Sequence, residues 1–142
     1  MGNVFKYRKR TAVGGLAADL AADAIPAPDD RAGSVLIHRN VLLIMPSQGL
    51  HWLDCAWLSF GLSLHAERLS ALRPDGIAIK VCSYSYPLSD YRPEVAALTM
   101  DGWLRQEFGL PDIGIRVDFT PATSDYSFKW GQVGRPFSEQ II

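Results

Sequence analysis

Residues 50–64, LHWLDCAWLSFGLSL, constrain what this chain can fold into more than any other stretch. The pattern is helical, and Asp54 is its only formally charged residue. A helix resting on a sheet needs one apolar stripe about 100° wide, which Leu50, Leu53, Trp57, Phe60 and Leu64 already provide. Trp52, Leu58 and Leu62 spread over the remaining circumference. A second side of this helix is therefore expected to be covered by another element, by a second copy of the chain or by a different protein.

At 142 residues the chain is long enough to bury roughly two-thirds of its unfolded surface without help from a disulfide or metal. An apolar fraction of 48%, a charged fraction of 20% and a net charge of −1 belong to a folded globular protein without a strong overall field. Binding to nucleic acid through net charge is not expected. Cys55 and Cys82 fall in apolar-periodic segments and read as buried free thiols in a reducing, cytoplasmic setting. Residues 6–24 superficially resemble a signal peptide, but Asp19 and Asp23 interrupt the would-be apolar core, so export is not expected. No apolar run reaches the roughly 20 residues needed to span a bilayer, and no membrane partner is expected.

Periodicity divides the chain into three parts. Residues 1–33 read as a basic N-terminal arm, a short Ala-rich segment with Leu16, Leu20 and Ala24 on one helical side, and a Pro-rich linker. Residues 34–131 read as the folded core, and residues 132–142 as a tail docked through Phe137. Within the core, residues 34–45 form one buried strand, or two turning at Arg39-Asn40. Ser47 is placed to cap a helix running to Leu72. Ile77, Ile79 and Val81 alternate as a strand. Pro93 and Gly109 bracket a second helix, on which Asp101 and Arg105 pair one turn apart. Ile113, Ile115, Val117 and Phe119 form a strand paired in a hairpin with Tyr126, Phe128 and Trp130. The expected fold is α+β, a single domain in the order β-α-β-α-β-β, with a mixed sheet of about four strands and two helices packed on one face.

Three groups of residues carry candidate chemistry. His51, Asp54 and Cys55 share a helical turn and suggest a nucleophilic thiol with its base and orienting group. The alternative is a first-turn surface histidine, a carboxylate favoured by the helix dipole and a small core residue; triad members seldom share a turn. His38 and His65 have no sequence-adjacent partner, and neither a metal nor a cofactor is expected. Tyr84, Tyr86, Asp90 and Arg92 form a polar-aromatic loop between a strand end and a helix start, a candidate ligand pocket. Its structural alternative is ordinary turn chemistry around Pro87. Lys6, Arg8, Lys9 and Arg10 could touch phosphates or an acidic partner, or simply form a solubilising end.

Within residues 77–108 the strand, Ser85-Tyr86-Pro87, Ser89-Asp90 and the following Ala-rich helix resemble the corresponding segment of the ribosomal protein S5-like fold, which includes domain IV of elongation factor G. The resemblance covers under a quarter of the chain and lacks that family's glycine-rich strand and basic character. It implies a left-handed β-α-β arrangement and RNA binding, and nothing enzymatic.

The leading expectation is a non-catalytic protein–protein interaction module or homo-oligomer of the adaptor, inhibitor or bacterial immunity type. Trp52, Trp57, Leu58, Phe60, Leu62, Trp103 and Trp130 are its expected interface residues, because Trp dominates interface energetics. A small enzyme or ligand-binding protein using the 84–92 loop is the first alternative, and an RNA-binding domain the second.

Overall fold

The computed structural model describes residues 2–12 and 14–137. Residues 138–142 of the expected tail lie outside them. The chain opens with an antiparallel hairpin, β1 (Asn3–Thr11) and β2 (Gly14–Pro26). This corrects the reading of residues 1–33 as an arm, a short helix and a linker. The Ala-rich segment misleads because Leu16, Leu20 and Ala24 are spaced by four, an interval that keeps residues on one face of a helix and of a strand alike. Leu16, Ala18, Leu20 and Ala22 are the buried positions, a two-residue period. Alanine favours helix intrinsically, but ladders to β1 on one side and to a central strand on the other override that preference.

Lys6, Arg8, Lys9 and Arg10 are consequently strand residues. Lys6, Arg8 and Arg10 alternate onto the exposed side, and Lys9 is half-buried on the side of Phe5 and Tyr7. Arg8 pairs with Asp19 on the neighbouring strand at 2.8 Å. The arm is thus part of the sheet.

β3 (Ser34–His38) and β4 (Val41–Ile44) form a second hairpin, turning at Arg39 and Asn40, with Arg39 at φ 52°. β4 leads through α1 (Trp52–Ser63) and α2 (Ala66–Leu72) into β5 (Ile77–Ser85), which lies parallel to it. The five strands have the order β1-β2-β5-β4-β3. Residues 47–72 are therefore two helices rather than one, parted at Leu64 and His65, and the cap is His51 instead of Ser47. The His51 Nδ1 accepts the Leu53 N–H at 3.2 Å.

A 3-10 turn at Leu88–Asp90 precedes α3 (Glu94–Phe108). Pro93 stands at the helix cap and Gly109 ends the helix in the left-handed conformation, φ 64°. The Arg105 to Asp101 contact across one helical turn is present at 3.5 Å. β6 (Ile115–Thr120) and β7 (Asp125–Trp130) close the chain as a separate two-stranded sheet. The class is α+β as expected, with a five-stranded mixed sheet plus a two-stranded one in place of a single sheet of about four. Because β6 pairs with β7 and not with the sheet holding β5, the β-α-β unit implied by the ribosomal resemblance is not formed.

α1 is apolar on every side because this chain covers it twice. Leu58 and Leu62 share a core with Leu20, Val41, Leu43, Ile79 and the α3 residues Met100, Trp103 and Leu104. Phe60 and half-buried Trp57 instead meet Trp130 from β7, at ring-centroid distances of 5.2 and 5.8 Å. Phe137 also packs on Trp57, at 4.9 Å. The ribbon β6–β7 thus covers α1 on a second side, and its Val117, Tyr126 and Phe128 also pack with Tyr7, Leu16 and Ala18 of the large sheet. Leu58, Leu62 and Trp103 are fully buried, and Phe60 and Trp130 nearly so. These residues, expected at an interface, belong to the core. α1 and α3 approach closely at Gly61, where a Cβ would stand 2.7 Å from the Ala97 carbonyl oxygen.

Candidate functional site

Where the N-terminus of α1 meets the end of β5, three tyrosines surround one carboxylate. Tyr84 lies near the end of β5 and Tyr86 just beyond it, and their ring centroids are 5.5 Å apart. Pro87 and the 3-10 turn bring Tyr91 back over them, and its ring stacks on Tyr86 with centroids 3.4 Å apart and planes 8° from parallel. Asp54, in the first turn of α1, is 4% exposed. Its Oδ2 accepts the Tyr86 hydroxyl at 2.7 Å and its Oδ1 accepts the Tyr91 hydroxyl at 2.7 Å. Tyr84 donates to the Tyr91 oxygen at 3.0 Å, completing a chain from β5 through the loop to the helix.

Electrostatics keeps these groups as donors. Burial, with Asp54 adding to it, pushes the Tyr86 hydroxyl up to about 12. Tyr84 is raised further by burial, which outweighs its hydrogen bond to Tyr91. Tyr91 is raised by burial first, then by Tyr84 and Asp54. At neutral pH all three remain neutral phenols, and the carboxylate has a strong donor on each oxygen. The cluster staples segments together; it presents no free base or nucleophile. A sequence signal for it existed in the lone charge of an otherwise apolar helix, but its partners lie more than thirty residues away.

The structure divides the expected 84–92 pocket in two. Tyr84 and Tyr86 join Asp54 and Tyr91, whereas Asp90 and Arg92 line an open cleft of about 390 Å³ with Gly15, Leu16, Ser124 and Tyr126. Arg92 is already engaged there. It contacts the Asp125 carboxylate at 2.7 Å and lies over the Tyr126 ring at 5.1 Å. The Tyr126 backbone N–H and Arg92 together hold the Asp125 carboxyl below its usual range.

The His51, Asp54 and Cys55 arrangement is not a triad. The His51 Nδ1 is occupied as a helix cap and Asp54 by the tyrosines, while Cys55 is half-buried. His65 does have a partner that its sequence neighbours do not reveal. Its Nε2 lies 2.6 Å from the Asp101 Oδ1, and both side chains are buried between the α1–α2 junction and α3. This pair is closed to a solute. Among the described residues no group of three or more His, Cys, Asp or Glu is arranged to hold a metal ion.

Trp52 alone of the expected interface residues is open to solvent, at 70% exposure. His51 stacks against it with centroids 6.1 Å apart. Leu88, two residues beyond Tyr86, is 87% exposed. Both flank the Asp54 staple, one on each segment it joins. No helix is long and apolar enough to cross a membrane among the described residues. Compared with known proteins, the chain matches no family model, no curated protein and no solved structure.

Proposed function

We propose that this protein is a non-catalytic binding module that docks a protein partner on the rim formed by Trp52 and Leu88. The observation that carries this reading is the Asp54 staple between them. Two large apolar side chains from distant parts of the sequence are exposed on segments joined by two tyrosine hydroxyl bonds to Asp54, with a third tying the loop to β5. Presenting an anchor on a fixed scaffold lowers the ordering cost of association. Tryptophan in such a position is the residue type most enriched among binding hot spots. The internal engagement of Asp54, His51, His65 and Arg92 supports a binding role over a catalytic one, because the groups suited to acid, base or anion chemistry already serve the fold.

A photo-crosslinking residue installed at position 52 in the intact chain tests the proposal. One discrete protein adduct should form in the producing cell and fail to form when Leu88 is replaced by Ser. The purified adduct partner should then bind the wild-type chain and lose at least about 30-fold in affinity on Trp52→Ala, the effect of a hot spot worth about 2 kcal/mol. An absent adduct, or binding indifferent to both positions, overturns the reading.

A further inference from the structure

We propose that β3 is a self-association edge, pairing antiparallel with β3 of a second copy so that two five-stranded sheets become one continuous sheet. β3 is the terminal strand beside β4. Among the described residues, no backbone bond joins residues 35–38 to anything outside that hairpin. Unpaired N–H and C=O groups along an edge specify their occupant, which is another extended strand.

The two edges of the sheet are treated differently. At β1 the carbonyls of Asn3 and Val4 accept the Trp103 indole N–H and the Gln106 amide, at 3.0 and 3.2 Å. β1 also carries Lys6, Arg8, Lys9 and Arg10, so a self-pair there would bring like charges together. Charge and side-chain cover are the usual protections of an exposed edge. β3, Ser-Val-Leu-Ile-His, has neither charge nor proline. An antiparallel self-pair of this strand meets no like-charge opposition, and the chain's net charge of −1 adds little. Such a contact is isologous and closes as a dimer.

Leu36 stands at the middle of β3 and is 60% exposed, whereas its cross-strand neighbour Leu42 is buried. In a centred pair it lies opposite its own symmetry mate, which accounts for an otherwise solvated leucine. The irregularity between Leu36 and His38 shortens the regular ladder. The contact therefore belongs with small, transient interfaces below about 1,200 Å². A concentration-dependent equilibrium is expected instead of a permanent dimer. This edge is separate from the Trp52 rim, and each can fail alone.

The test is analytical ultracentrifugation of the full chain from about 10 µM to about 1 mM, a range suited to a weak interface, with Leu36→Lys, Leu36→Asp and Trp52→Ala alongside. Circular dichroism establishes that each variant is folded; the exposure of Leu36 makes both charged variants compatible with the fold. Wild type should show a monomer–dimer equilibrium. Each Leu36 variant alone should weaken it at least about 10-fold, and an equimolar mixture of the two should restore it as opposite charges face one another. A wild-type chain that stays monomeric throughout overturns the proposal. So does a dimer that both Leu36 variants retain and Trp52→Ala dissolves, which moves self-association to the rim.

Discussion

Replacing Asp54 by Ala removes the acceptor that ties the α1 N-terminus to the loop before α3. Each hydroxyl bond to a carboxylate is worth about 1.5–3 kcal/mol, and both stand at 2.7 Å on a side chain only 4% exposed. Tyr86 is partly open to water and regains solvation, so its bond counts near the lower figure. Relief of the buried charge offsets a further part. The expected net loss is about 3 kcal/mol, or about 10 °C in melting temperature for a domain of this size. Tyr91→Phe, which removes one charge-assisted bond and the acceptor of the Tyr84 hydroxyl, should cost about 2–3 kcal/mol. Urea unfolding followed by tryptophan fluorescence measures both, and the double variant closes a cycle. The two losses should overlap by about 1.5 kcal/mol or more, since they delete the same bond. A loss below about 1 kcal/mol for Asp54→Ala, or a coupling within about 0.5 kcal/mol of zero, would refute the assignment of the cluster as a structural staple.

Other consequences follow from the same geometry. Tyr7 and Tyr86 are pushed from 10 up to about 12, chiefly by burial. The folded state therefore keeps these protons longer than the unfolded chain, so the stability they contribute is intact below pH 10 and is lost as pH rises through about 12. The phenolate absorbance lost on Tyr7→Phe or Tyr86→Phe should be signal that rises late and together with alkaline unfolding; a lost signal that titrates near pH 10 in the folded protein would contradict this. Gly61→Ala should destabilise by about 1–3 kcal/mol despite the better helix propensity of Ala, because the added methyl meets the Ala97 backbone at 2.7 Å. Chemical denaturation should show the loss, and an unchanged midpoint would mean that the helices separate freely. Deleting residues 1–11 should abolish cooperative unfolding, since β1 supplies Phe5 and Tyr7 to the packing and the acceptor of the Trp103 indole. A truncated chain with the original melting temperature would restore the arm interpretation.

Legibility from sequence depended on whether neighbours along the chain carried the pattern. The limits of α3 were readable because Pro93 and Gly109 act on their own backbone. The β6–β7 hairpin was readable because Ile115, Val117 and Phe119 alternate with polar residues. Residues 14–26 were misread because a four-residue spacing of apolar groups serves helix and strand equally. Tyr84 and Tyr86 were recognised as a polar-aromatic feature, but the residue that organises them was set aside in a different hypothesis. Asp54 looked like a favourable charge at a helix start, which is true and incomplete.

What the sequence determined by itself was the demand: an α1 apolar on all sides must be covered twice, wherever the covering comes from. Tertiary structure alone decided that the cover is internal, with the sheet taking Leu58 and Leu62 and the β7 ribbon taking Trp57 and Phe60. It also decided that a lone carboxylate is satisfied by Tyr86 and Tyr91, and that His65 is paired with Asp101. The physical reason is the range of the forces involved. Backbone preference and periodicity act over a few residues and leave a mark in local order, whereas burial and hydrogen bonding are settled between segments that meet only after the chain has folded back on itself.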